Sequence, residues 1–124
     1  MSEVQRWKDF AEDMFNSFGD VIVDAKVVSV TQGSYNEDTG SYDETITSIT
    51  TKAFRTKRSR QFIEANGEDS YNYVPWMILG KPFSTWPNTN DRLVIDGVRY
   101  DIFEVEPDEL GIGVYFILYT FKHD

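Results

Sequence analysis

Hydrophobic positions near the start of the chain recur with a helical period. Val4, Trp7, Ala11, Met14, Phe15 and Phe18 follow i, i+3, i+4, i+7 spacing, and Gln5, Arg6, Lys8, Asp9, Glu12, Asp13 and Asn16 fill the remaining faces. Ser2 with Gln5 three residues later fits a capping box, and Gly19 stands where a glycine closes a helix, so the pattern predicts a helix over about 2–18. Beyond Gly19 the period changes to two. Residues 21–30 are rich in β-branched side chains, with Val21, Val23, Ala25, Val27 and Ser29 on one face. Residues 45–57 (TITSITTKAFRTK) return as a second strand, and the polar, turn-rich stretch 32–44 (QGSYNEDTGSYDE) reads as a sizeable tip. Together they predict a long antiparallel hairpin over about 21–57.

Between 58 and 75 no period persists. The segment RSRQFIEANGEDSYNYVP fits either a short helix near 59–65 or a long irregular loop, and loops of that length in small domains are usually functional or mobile. The C-terminal strands, about 76–122, are better punctuated. An apolar run at 76–79 ends at Gly80, and KPFSTWPNTN connects it to Arg92-Leu93-Val94-Ile95, which meets Asp96-Gly97, a dipeptide suited to a type I′ turn. Val98, Tyr100 and Ile102 then alternate with Arg99, Asp101, Phe103 and Val105. Residues 114–121 (VYFILYTF) are apolar almost throughout, as in a strand covered on both faces. The expected fold is mostly β: a small antiparallel β-sandwich or barrel with an N-terminal α-helix and a long irregular loop, in a single domain spanning 1–124.

Composition narrows the chemistry. The chain has 124 residues and no cysteine, which excludes disulfides, thiolate metal sites and thiol nucleophiles. Aromatic residues at 15% argue for a packed core despite a mean hydropathy of -0.44. No apolar run approaches the ~20 residues of a membrane span, and no basic stretch precedes an apolar one at the N-terminus, so neither a membrane partner nor a secretory leader is expected. The net charge of -9 weighs against general nucleic-acid binding. Locally the balance reverses: Lys52, Arg55, Lys57, Arg58 and Arg60 place five of the twelve basic residues within nine positions. They form either a solvated strand edge or a patch aimed at an acidic protein surface or passing nucleic acid. Phe54, Phe62, Tyr71, Tyr73 and Trp76 lie beside them in sequence, either as a stacking platform for single-stranded nucleic acid or as core and interface packing. Trp86, in a proline-flanked loop, is a candidate interface anchor.

Catalytic constellations are missing. The single histidine, His123, stands one residue from the C-terminus, where fraying is expected. There is no phosphate-binding glycine loop and no nucleophile elbow, and the serines and threonines have no histidine partner. Residues 36–40 have some of the composition of a calcium loop but the wrong spacing, and read instead as a hairpin tip with Gly40 at positive φ. Asp43-Glu44 and Asp108-Glu109 read as turn-solubilising pairs. No catalytic residue, metal site or cofactor is expected, and an enzyme with an unrecognised carboxylate site ranks last among the functions considered.

The run from Pro87 to Asp108 (PNTNDRLVIDGVRYDIFEVEPD), followed by Gly111-Ile112-Gly113 and the apolar strand 114–121, resembles the small head–tail joining proteins of tailed bacteriophages, the stopper or head-completion proteins of the neck. The order of helix, hairpin, irregular segment and C-terminal strands matches as well. That resemblance implies a virion structural protein, assembled in the host cytoplasm, that forms a ring between a portal-bound adaptor and the tail. It implies partners in the portal or adaptor protein, a tail protein and further copies of itself, with possible contact to packaged DNA through a loop at about 56–74. The candidate partner- or channel-facing residues are then Lys52, Arg55, Lys57, Arg58, Arg60, Tyr71, Tyr73 and Trp86, and the hairpin tip (about 32–44), the 56–74 segment and the Trp86 loop are the expected interface elements. A tail-completion, tail-terminator or adaptor protein fits the same resemblance, and a single-stranded nucleic-acid-binding β-barrel is the alternative outside it.

Overall fold

Helix α1 runs over Glu3–Ser17 in the computed structural model, which describes residues 3–123 apart from the side chains of Asp20, Gln32 and Asp43. The Ser2 half of the expected capping box lies outside the described residues. Gly19, at φ +63°, takes the left-handed conformation that ends the helical segment. Of the predicted apolar face, only Ala11 and Phe15 are buried, against Leu79 and the half-buried Ile22, Phe54, Met77 and Val114. Lys81 donates to Asp9 at 2.9 Å and Glu12 at 3.0 Å, fastening the helix to the barrel wall. That bond from Lys81 holds the Asp9 carboxyl below its ordinary value.

The strands are β1 (Val23–Asn36), β2 (Ser41–Arg55), β3 (Val74–Leu79), β4 (Arg92–Ile95), β5 (Val98–Pro107) and β6 (Tyr115–Lys122). They close into an antiparallel barrel in the order β1-β2-β3-β6-β5-β4. Closure is made by β1 and β4, through Lys26↔Val94, Val27↔Leu93 and Val28↔Arg92. Of the two architectures the sequence allows, the barrel is the one formed. It removes the sheet edges a sandwich would leave. Inside lie Ala25, Val27, Ala53, Trp76, Ile78, Leu93, Ile102, Phe116 and Leu118, alternating along their strands with outward residues.

The strand β6 is covered on both faces, as its composition predicts. Phe116 and Leu118 point into the barrel, while Ile117 and Tyr119 pack outside against Phe62. Each such side chain contributes roughly 1.5–3 kcal/mol by leaving water. The predicted turn is also present: Asp96 (φ +51°) and Gly97 (φ +77°) join β4 to β5, both at the positive φ that a type I′ turn demands. The simple alternation predicted for β5 fails at Phe103. Its register against β6 slips between Ile102 and Glu104, so Ile102 and Val105, three positions apart, both reach the core.

Two further expectations are corrected. Of the two readings of the segment 58–75, the short helix is adopted and the long irregular loop is not. Ser59 caps a helix, α2 (Arg60–Asn66), by accepting a bond from Phe62 N at 3.1 Å, and a 3-10 turn (Gly67–Asn72) leads into β3. The hairpin tip is also shorter than 32–44. Pairing continues to Asn36↔Ser41, and only residues 37–40 turn, with Asn36 Oδ1 accepting from Asp38 N and Asn36 O accepting from Gly40 N, both at 2.9 Å. Gly40 has φ +70°, as expected.

Candidate functional site

The hairpin outgrows the barrel. The strand β1 pairs with β4 only as far as Val28, and β2 pairs with β3 only from Ala53 onward. Between those limits β1 and β2 pair with each other alone, from Ser29↔Thr47 to Asn36↔Ser41. At about 3.3 Å per residue the arm reaches roughly 25 Å past its last contact with β4. Its root is anchored: Ser29 Oγ donates to Asp91 Oδ1 at 2.7 Å, and Asp91 Oδ2 accepts from Asn88 N at 3.0 Å.

Pairing register sorts the arm into two faces. Ser29, Thr31, Thr45 and Thr47 share one face, while Val30 and Ile46 are paired on the other. A bulge between Gln32 and Tyr35 then brings Tyr35 opposite Tyr42, and their rings meet edge-on at 5.2 Å. Tyr35 is 54% exposed, Tyr42 53% and Ile46 67%. A two-stranded ribbon is marginally stable in water by itself, and this one leaves Tyr35, Tyr42 and Ile46 open to solvent. The arm is also uniformly acidic: from 27 to 51 the charged residues are Glu37, Asp38, Asp43 and Glu44, with no cation.

A second uncovered apolar surface lies beside α1. Trp7, Phe10, Met14 and Phe18 on the helical segment, with Phe54, Met77, Leu110 and Tyr115 from the barrel side, line a groove of about 410 Å³. Trp7 and Phe10 remain 44% and 56% exposed, and Leu110, at the opposite wall, 67%. Asp108 also lines it, but its carboxylate is engaged within the chain: Oδ1 accepts from Gly113 N at 2.7 Å and Val114 N at 3.0 Å. It is a buried turn anchor rather than a solubilising group, while Glu109 is exposed. Gly80 fits where the end of β3 meets this turn, because a Cβ there would lie 1.9 Å from Gly113 O.

The basic cluster does not form one patch. Period-two geometry sends Lys52 outward, where it pairs with Asp24, and Arg55 toward the barrel mouth, with its guanidinium 5.6 Å from the Trp76 ring. Arg58 is a structural clamp: Nε donates to Ser70 O at 2.8 Å, and Nη2 to Tyr73 O at 2.7 Å and Tyr71 O at 3.4 Å. Arg60 pairs with Glu64 one helical turn away at 2.9 Å. Lys57 is exposed. The aromatic neighbours are similarly committed. Trp76 is inside the barrel, Phe62 stacks on Tyr119 at 3.6 Å, Tyr73 stacks on Phe103 at 4.1 Å, and Phe54 meets Phe15 edge-on at 5.1 Å. Tyr71 stays 67% exposed with Arg58 over its ring at 5.3 Å. A stacking platform needs several free faces, and this group presents only that one. Trp86 is half committed, 44% exposed and edge-on to Phe116 at 5.3 Å.

The hydroxyl and carboxylate groups around α2 serve the fold. Ser59 Oγ donates to Glu106 Oε1 at 2.7 Å, Tyr119 OH donates to Glu106 Oε2 at 3.2 Å, and Ser59 N donates to Tyr119 OH at 3.0 Å. Burial pushes the Tyr119 hydroxyl above its ordinary pKa. On the same strand, burial and the neighbouring Glu106 raise the Glu104 carboxyl. His123 is not frayed: its N–H donates to Arg99 O at 3.0 Å and its ring bonds Asp101 Oδ2 at 2.8 Å. Among the described residues, no group of three or more His, Asp or Glu side chains converges as a metal site, and no helix is long and apolar enough to cross a membrane.

Sequence reasoning named the hairpin tip at about 32–44 as an interface element, but not the Tyr35–Tyr42 pairing within it or the open face of α1. Their signals exist in retrospect: Phe10 lies three positions from Trp7 and four from Met14, widening the helical apolar arc, and Tyr35 and Tyr42 flank the tip almost symmetrically. No family model matches the chain, and no curated protein matches it. Among solved structures, the chain is similar to protein SF1141 from Shigella flexneri 2a, determined in solution, with 15% identity and a TM-score of 0.56 over 84% of this chain and 96% of that one. At that identity the likeness is one of fold alone.

Proposed function

We propose that the chain is a structural protein of a tailed-phage virion, completing the head or joining it to the tail as one copy in a ring. The observation that carries this reading is the two-stranded arm, which projects from the barrel with Tyr35, Tyr42 and Ile46 exposed on one face among the described residues. An enzyme has little use for such an arm, whereas a subunit that must reach a neighbour does. The uncovered face of α1 gives each copy a second contact surface. The resemblance of residues 87–121 to phage neck proteins supplies the biological setting. The acidic balance of -9 suits a protein that stays dispersed until a template gathers it. Contact with packaged DNA falls in this reading to Lys57 and Arg60, since Arg58 is held by three carbonyls. The proposed location is the virion neck, between a portal-bound adaptor and the tail.

The test is a completion assay. Phage produced without this chain should give DNA-filled heads and separate tails, and purified protein should restore joined particles. Normal tailed particles formed in its absence would remove the proposal.

A further inference from the structure

The ring reading leaves open which surfaces of two copies meet, and on that reading rests one more step. We infer that the apolar face of the arm from one copy occupies the α1 groove of the next. Within a copy the two cannot meet. Both features lie on the outward face of the same strand, β2, with Tyr42 near its start and Phe54, which lines the groove, near its end. Twelve residues of extended strand separate them by about 40 Å. A patch and its complement at opposite ends of one rigid element pair head to tail between copies, and such heterologous contacts close into rings when the rotation permits.

Chemistry matches on both sides. The arm offers Val30 paired with Ile46 and Tyr35 paired with Tyr42 on one face, with Glu44 between the two pairs; the groove offers Trp7, Phe10, Met14, Phe18, Phe54 and Leu110. Charge is complementary along β2 as well. The arm end holds Glu37, Asp38, Asp43 and Glu44 with no cation, while Lys52, two positions from Phe54 on the same outward face of β2, stands at the other end. Lys52 already faces Asp24 in an exposed pair, and Glu109 is the exposed carboxylate of the groove, so the apolar contact is the main contribution and charge sets orientation.

The absence of cysteine makes a direct test clean. Two single variants, Tyr42→Cys and Phe10→Cys, are mixed at high concentration under mild oxidation, with Tyr42→Cys plus Lys122→Cys as the control pair. Both positions are exposed, so the fold should survive, as circular dichroism would verify. The expected result is a Tyr42→Cys/Phe10→Cys cross-linked dimer formed several-fold faster than the control. Predominant Tyr42→Cys self-linkage, meaning arm against arm, would overturn the inference, as would cross-linking no faster than the control. A cross-link formed by a protein that proves dispensable for head–tail joining would keep this contact and sink the phage reading. Normal function with no cross-link would do the reverse.

Discussion

Replacing Arg58 with alanine separates a structural cation from a ligand-facing one. Its guanidinium spans the turn between α2 and β3, donating to the carbonyls of Ser70 and Tyr73 at 2.8 and 2.7 Å and more weakly to Tyr71 at 3.4 Å. A hydrogen bond to a charged group contributes about 1.5–3 kcal/mol, and an exposed cation over an aromatic ring adds about 0.5–1 kcal/mol. The site is half-buried, so water recovers part of the loss at the freed carbonyls. A net destabilisation of about 2–4 kcal/mol is expected. With a urea m-value of about 1–3 kcal/mol/M for a chain of this size, the unfolding midpoint should fall by about 1–2 M. Arg58→Lys should recover only part of this, because an ammonium cannot bridge two carbonyls in the fork geometry. Lys57→Ala, one position away and exposed, should stay within about 0.5 kcal/mol of the parent. Equal and negligible effects of Arg58→Ala and Lys57→Ala would refute the clamp and return Arg58 to the pool of free cations.

Asp108→Ala should cost about 2–4 kcal/mol, since it leaves the Gly113 and Val114 N–H groups without their acceptor; an unchanged thermal midpoint would contradict the anchoring role. Ser59→Ala removes the cap of α2 together with the bond to Glu106 and should destabilise by about 1–2 kcal/mol, read by chemical denaturation. The His123 ring, then the Arg99 side chain, hold the Asp101 carboxyl below its ordinary value. Its contribution to stability is therefore present above the unfolded carboxylate pKa and lost as pH falls through the lower folded value. His123→Ala should move the Asp101 titration upward in a carbon-detected NMR pH series, and an unmoved titration would show that the contact is absent in solution. Tyr35→Ser with Tyr42→Ser should leave the unfolding midpoint of the isolated protein nearly unchanged while abolishing its ability to complete particles; retained completion would remove the arm from the interface.

Much of the fold was legible because local chemistry and tertiary need agree. The helical period over Val4–Phe18, the Asp96-Gly97 turn and the unbroken apolar run of β6 each have one favourable solution, and the structure adopts it. Barrel closure was not legible, because it rests on β1 meeting β4 across more than sixty residues, and no local pattern encodes that pairing. The bulge at Phe103 hides for a similar reason: its extra residue is defined by the partner strand. The outer arm, residues 32–36 and 41–44, passed for loop in sequence because it is built of Gln, Gly, Ser, Asn, Asp and Glu, with only Tyr35 and Tyr42 favouring a strand.

The candidate cations show the opposite difficulty. Spacing in the sequence placed Lys52, Arg55, Lys57, Arg58 and Arg60 together, but strand parity and the turn into α2 sent them in different directions. Clustering along a chain carries no information on which side of a sheet each member faces until register is known. Asp91 and Asp108, by contrast, sit within the run on which the proposed phage setting rests, and each has a physical role in tying a loop to the barrel. Those roles are architectural, so the pattern speaks more strongly for the fold than for any single contact.

The most direct measurement is electron cryomicroscopy of the tailed particles proposed to contain this chain, at a resolution that traces β-strands. A ring of six-stranded barrels beneath the portal, each arm lying on its neighbour, is the result expected. Its absence from the neck, or its presence there with the arms free in solvent, would contradict the central claim that the arm exists to hold copies together.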